Sequence, residues 1–184
     1  MPLSDSRYAL LVIDMINDFE FSTGKELYPF ALEAGKQISI LKEKLKAKNI
    51  PIIYVNDNYG KWQSDFRHLV SHCVEQPVLG QPIAKMMCPN KEDYFILKPQ
   101  FSGFFATPLD LLLTHLKVDT LILTGVTGNM CVLFTANDAY MREYKLIIPS
   151  DCIASETVDI NDQSLQTMKK VLKADIRPST ELFK

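Results

Sequence analysis

The sequence predicts an α/β fold: a three-layer arrangement in which a parallel sheet of about six strands is covered by helices on both faces. Two observations predict it. Short continuous apolar runs of strand length recur along the chain, and the segments between them carry apolar residues at helical spacing. Continuously apolar strands are buried on both faces, which is what crossover helices provide for a parallel sheet.

Each element has its own signal. Tyr8 to Ile13 (YALLVI) is the first strand. Phe30 to Lys48 reads as a helix, since Ala34, Ile38, Leu41 and Leu45 fall on one face, and Asn49 and Pro51 mark its end. Ile52 to Val55 (IIYV) is the second strand. Residues 56 to 93 are irregular, with Pro77, Gly80, Pro82 and Pro89, and hold a short helix around Asp65 to Cys73. Tyr94 to Leu97 (YFIL) is the third strand. Pro108 to Leu116 is a helix with proline in its first turn, where a missing N–H costs nothing. Thr120 to Thr124 (TLILT) is the fourth strand, and Met130 to Glu143 is a helix with Val132, Ala136, Ala139 and Tyr140 on one face. Lys145 to Ile148 is the fifth strand, Thr157 to Lys173 a helix, and Ala174 to Arg177 the expected sixth strand.

The 184 residues fit a single domain, 1–184. A chain of this size buries about 70% of the surface its unfolded form exposes, so it needs no disulfide or structural metal. The 20 basic and 22 acidic residues give a formal charge of −2, which offers no electrostatic case for nucleic acid or an anionic membrane as partner. No apolar run reaches the ~18 residues of a spanning helix. The N-terminal apolar stretch is short, follows Asp5 and ends at an acid, unlike a signal peptide, so a cytoplasmic location is expected. Cys73, Cys88, Cys131 and Cys152 form no CxxC pair and are expected as free thiols.

Ligands bind parallel sheets outside the carboxyl ends of the strands. Three reactive side chains stand there. Asp14 follows YALLVI, Lys98 follows YFIL, and Cys131 follows TLILT by the loop Gly125-Val126-Thr127-Gly128-Asn129-Met130. Cys131 also falls near a predicted helix N-terminus, where unpaired N–H groups and the helix dipole favour a thiolate. An adjacent Lys98 ammonium is expected to lower the thiol pKa further. Asp14 then accepts the thiol proton, and the N–H groups at the helix start hold an oxyanion. Taken singly, such an acid, lysine or cysteine is more often a cap, a solvated charge or a packed thiol. Their shared sheet edge is what raises the case.

The segments LLVIDMINDF (Leu10 to Phe19), ILKPQFSGF (Ile96 to Phe104) and LTGVTGNMCVLFTANDAYMREYKLIIPSDC (Leu123 to Cys152) resemble the isochorismatase-like cysteine hydrolases, which include nicotinamidases and N-carbamoylsarcosine amidohydrolases. The resemblance covers nearly the whole chain. It implies the isochorismatase-like hydrolase fold, Rossmann-like in its layers, and an Asp-Lys-Cys catalytic triad matched by Asp14, Lys98 and Cys131. It also implies a cis peptide at Val126–Thr127, an oxyanion hole from the N–H groups of Thr127 and Cys131, and Phe19 as a pocket aromatic. The implied activity is cleavage of a small amide or carbamoyl substrate through a thioester, without a cofactor, in a homo-oligomer. The metal-binding Asp-x-His of nicotinamidases is missing from Val55-Asn56-Asp57-Asn58, and asparagines are poor transition-metal ligands, so no metal is expected there.

Other features carry less. His68 and His72 are spaced for one helix face but lack a third ligand, so surface or subunit-contact roles are expected. Trp62 is a candidate pocket contact, with core packing equally open. Gly125 and Gly128 permit a tight loop and lack the layout of a phosphate loop. Two rival functions stay open: vinyl-ether hydrolysis with Asp14 as general acid and Cys131 dispensable, and a catalytically silent binding module of the same fold.

Overall fold

A computed structural model of the chain describes residues 7–60 and 65–182. The strands are β1 (Tyr8–Ile13), β2 (Ile52–Asp57), β3 (Tyr94–Lys98), β4 (Thr120–Val126), β5 (Lys145–Ile147) and β6 (Ile153–Ala154). The helices are α1 (Gly24–Lys46), α2 (Phe66–Glu75), α3 (Gln81–Met86), α4 (Leu109–His115), α5 (Leu133–Met141) and α6 (Val158–Val171). The sheet has six strands in the order β3-β2-β1-β4-β5, and β6 pairs with β4. Every pairing is parallel.

Strand side chains alternate between faces, so each strand feeds two cores. Leu10 and Val12 of β1 join one cluster with Leu27, Ile38, Leu41 and Leu45 of α1, Phe66 and Cys73 of α2 and Ile83 of α3. Ala9, Leu11 and Ile13 join the other, with Leu109 and Leu113 of α4, Ala136 and Ala139 of α5 and Leu165 and Met168 of α6. Among the described residues, no helix is long and apolar enough to cross a membrane.

The structure departs from the sequence reading in four places. Helix α1 begins at Gly24 and contains Pro29, near enough to its start that one lost hydrogen bond does not break it. Helix α3 stands in the stretch read as irregular, with Pro82 in its first turn. The sixth strand is Ile153–Ala154, which extends β4's pairing at Gly125 and Val126. Residues 174–177 contribute only a single bridge, Asp175 to Ile147.

The fit of β1 to β4 depends on one glycine. Gly125 lies opposite Ile13 in the register and has φ of +113°, a conformation L side chains rarely adopt. A Cβ there would lie 2.0 Å from the Ile13 carbonyl oxygen. Those strand ends carry Asp14 and the cysteine loop. Gly125→Ala is therefore expected to cost more than about 1 kcal/mol of stability, seen as a lower chemical-denaturation midpoint. A wild-type midpoint would contradict this packing.

Candidate active site

Asp14 leaves β1 with φ of +52°, a left-handed turn that aspartate tolerates better than most residues. Its N–H donates to the Val55 carbonyl at 2.9 Å, which continues the β1–β2 ladder by one residue. Its Oδ1 accepts the Asp57 backbone N–H at 2.7 Å. Its Oδ2 lies 2.9 Å from Lys98 Nζ.

Lys98 ends β3 and has no solvent exposure. Besides Asp14, its ammonium reaches Cys131 Sγ at 3.4 Å and Asp57 Oδ2 at 3.4 Å. An ammonium has three donors and no acceptor, and here it has three acceptors around it. Asp57 lies beside Lys98 in the β2–β3 register.

Cys131 sits in a wide, π-helical turn, Gly128–Val132, that leads into α5. The Val132 N–H donates back five residues to the Thr127 carbonyl at 3.1 Å, a widening that recurs at functional sites. The Val126–Thr127 peptide just before it is cis. The thiol is half-buried. Thr135, one turn along, donates its hydroxyl to the Cys131 carbonyl at 2.7 Å and accepts the Gly103 N–H at 3.0 Å. Ser102 donates to the Asp138 carboxylate and accepts the Phe104 N–H at 3.1 Å. The loop that follows Lys98 is thereby tied to the helix that carries the cysteine.

The three groups perturb one another. Burial drives the Asp14 carboxyl up, opposed by the Lys98 ammonium and a hydrogen bond from Cys131. Burial opposes charge on Lys98, yet the Asp14 carboxylate, the sulfur and Asp57 together hold its pKa above the ordinary lysine value. Burial and then the Asp14 carboxylate push the Cys131 thiol up to about 12, against the pull of Lys98. This corrects the expectation of a depressed thiol pKa. Burial and the carboxylate neighbour outweigh the lysine, so the thiol holds its proton more tightly than an ordinary cysteine. A thiolate can form there by passing that proton to Asp14, which leaves the net charge of the buried group unchanged.

Other expected site residues fall differently. Phe19, expected on the pocket wall, is instead 1% exposed and packs against Phe21 and Tyr28. Phe21 lines a cavity of about 450 Å³ together with Asp57, Tyr59, His68 and His72. His72 Nε2 lies 3.4 Å from Asp18 Oδ2. Trp62 lies outside the described residues. Among the described residues, no group of three or more His, Cys, Asp or Glu could hold a metal ion. Asp57 is engaged by Lys98 and by the Tyr59 N–H, and the Asn56 amide nitrogen donates to the Ile16 carbonyl. The sequence reading passed over Asp57, Thr135 and Asp138. Asp57 had a usable signal, since it ends β2 just as Asp14 follows β1.

Comparison with known proteins finds relatives in both sequence and fold. The isochorismatase domain family model matches residues 8–176. The uncharacterised isochorismatase family protein YaaI of Bacillus subtilis is 43% identical over 181 residues, covering 98% of this chain and 99% of its own. The solved N-carbamoylsarcosine amidase from Thermoplasma acidophilum superposes with a TM-score of 0.75 at 27% identity, covering 97% of this chain and 99% of that one. A cysteine hydrolase from Pseudomonas syringae gives a TM-score of 0.78 at 26% identity, over 96% of this chain and 90% of that one.

The raised thiol pKa has a direct readout. Iodoacetamide is expected to alkylate Cys131 more slowly than exposed Cys88 near neutral pH, with a rate still rising well into the alkaline range. Peptide mass spectrometry resolves the two sites, and a rate plateau near neutrality would contradict the assignment.

Proposed function

Because this chain belongs to the isochorismatase family, we propose that it is a cysteine hydrolase that cleaves a small, non-peptide amide or carbamoyl C–N bond, with Asp14, Lys98 and Cys131 as its reacting groups. The observation that carries this reading is the buried Lys98 ammonium, 2.9 Å from the Asp14 carboxylate and 3.4 Å from the Cys131 sulfur. The likeness to an N-carbamoylsarcosine amidase and to a cysteine hydrolase supports the same chemistry.

The steps follow from the protonation states. Asp14 accepts the Cys131 proton as the sulfur attacks the substrate carbonyl, and Lys98 stabilises the developing thiolate. The carbonyl oxygen becomes an oxyanion, received by the backbone N–H groups of Thr127 and Cys131. Collapse of this intermediate breaks the C–N bond, and Asp14 returns its proton to the leaving ammonia or amine. A water molecule then gives a proton to Asp14 as it attacks the thioester. The departing sulfur recovers that proton, and the acid product leaves.

Two outcomes test the proposal. An ammonia-release screen over small amides, ureas and carbamoyl compounds is expected to find a substrate whose turnover falls at least roughly 10³-fold in Cys131→Ala. A variant that keeps its rate would exclude the thiol as nucleophile. The pH profile of kcat/KM supplies the second. Asp14 must be ionised to take the thiol proton, and burial raises its carboxyl pKa, so activity is expected to fall on acidification at a pH above the ordinary aspartate value of 3.8. An acid limb at or below that value would count against Asp14 as the base.

A further inference from the structure

Resting on the cysteine-hydrolase reading, we infer that Asp57 is a positioning residue: the standing counter-ion that keeps the Lys98 ammonium charged and in place while Asp14 carries the proton. Strand geometry puts Asp57 in this position. It ends β2 and is the register neighbour of Lys98 on β3, so the lysine side chain passes it on the way to Asp14, just past β1. Its Oδ2 lies 3.4 Å from Lys98 Nζ. Its Oδ1 accepts the Tyr59 backbone N–H at 2.6 Å, which turns the other oxygen toward the lysine. Its own N–H holds Asp14 Oδ1 at 2.7 Å, so this one residue grips both partners of the ion pair.

The need for a second carboxylate follows from charge accounting. In the resting site Asp14 is the anion beside Lys98. Once Asp14 holds the thiol proton and the sulfur is bonded to carbon, neither of them is negative. The oxyanion then rests on backbone N–H groups. Lys98 has no solvent exposure, and a buried cation without a partner is strongly disfavoured. Asp57 takes no part in the proton transfer and supplies that partner through the cycle. Its side chain is 32% exposed and lines the cavity beside the site, so water can solvate the face turned away from Lys98.

The test uses Asp57→Asn, which keeps an oxygen for the Tyr59 N–H and removes the charge, and Asp57→Glu, which keeps the charge. Removing an anion beside Lys98 leaves the ammonium acting more fully on Asp14 and Cys131, which lowers both pKa values. For Asp57→Asn, the rate–pH curve for iodoacetamide alkylation of Cys131 is expected to move to lower pH by about half a unit or more. On a substrate from the amide screen, kcat is expected to fall roughly tenfold or more with KM little changed. Asp57→Glu is expected to restore the alkylation curve. Asp57→Ser gives the same readings should the asparagine variant not fold.

An unmoved alkylation curve would overturn the inference, as would a loss of kcat with no movement of that curve, since a purely structural role gives the latter. The alkylation readout needs no substrate, so the two failures are separable: an active Cys131→Ala protein sinks the thiol mechanism, and an unshifted Asp57→Asn protein sinks the role given to Asp57.

Discussion

A buried ammonium organises this protein's reactive edge. Lys98 is fully removed from water and touches two carboxylates and a thiol. An isolated buried charge is too costly to persist, so the site holds only while those partners stay in reach. The topology explains why lysine does this. Adjacent strands are about 4.8 Å apart, so the ends of β3 and β1, with β2 between them, are separated by about 10 Å. A lysine side chain covers the larger part of that gap, and the Asp14 carboxylate with its 2.9 Å contact closes the rest. It meets the residue that ends β2 on the way, and arrives between Asp14 and the sulfur that follows β4. The parallel order β3-β2-β1-β4 is thus written into the contact set of one nitrogen.

The same interaction sets the chemistry. Lys98 opposes the effect of burial on both Asp14 and Cys131, yet does not reverse it for either. The result is a thiol and a carboxylate that both hold a proton more tightly than usual, next to a cation that serves either anion. Such a pair can exchange one proton without altering the charge the protein must bury. The ties between Thr135, Gly103 and the Cys131 carbonyl fix the loop after Lys98 to the cysteine helix, so neither drifts from the other.

Much of this was legible in the sequence. Continuous apolar runs mark the strands, and the rule that ligands sit beyond their carboxyl ends points to residues 14, 98 and 131. Short-range signals failed where tertiary contacts decide. Ile153–Ala154 is too short to show a period, and it becomes a strand only because β4 offers an unpaired end there. Pro29 concealed the first turn of α1, and three prolines concealed α3. The direction of the thiol shift was missed because a sequence displays a helix start and a lysine but not the depth of burial that overrides them. Asp57 was missed for a different reason: its contact with Lys98 follows from strand register, which only the folded sheet displays.

The charge state of Lys98 is directly observable. Selective isotope labelling of lysine side chains, followed by NMR across alkaline pH, reads the ionisation of each ammonium. Near pH 10.5, the ordinary lysine value, surface lysines are half-titrated, and Lys98 is expected to remain fully charged. A Lys98 signal that titrates at or below that value would show that the two carboxylates and the sulfur do not hold it, and the site described above would lose its foundation.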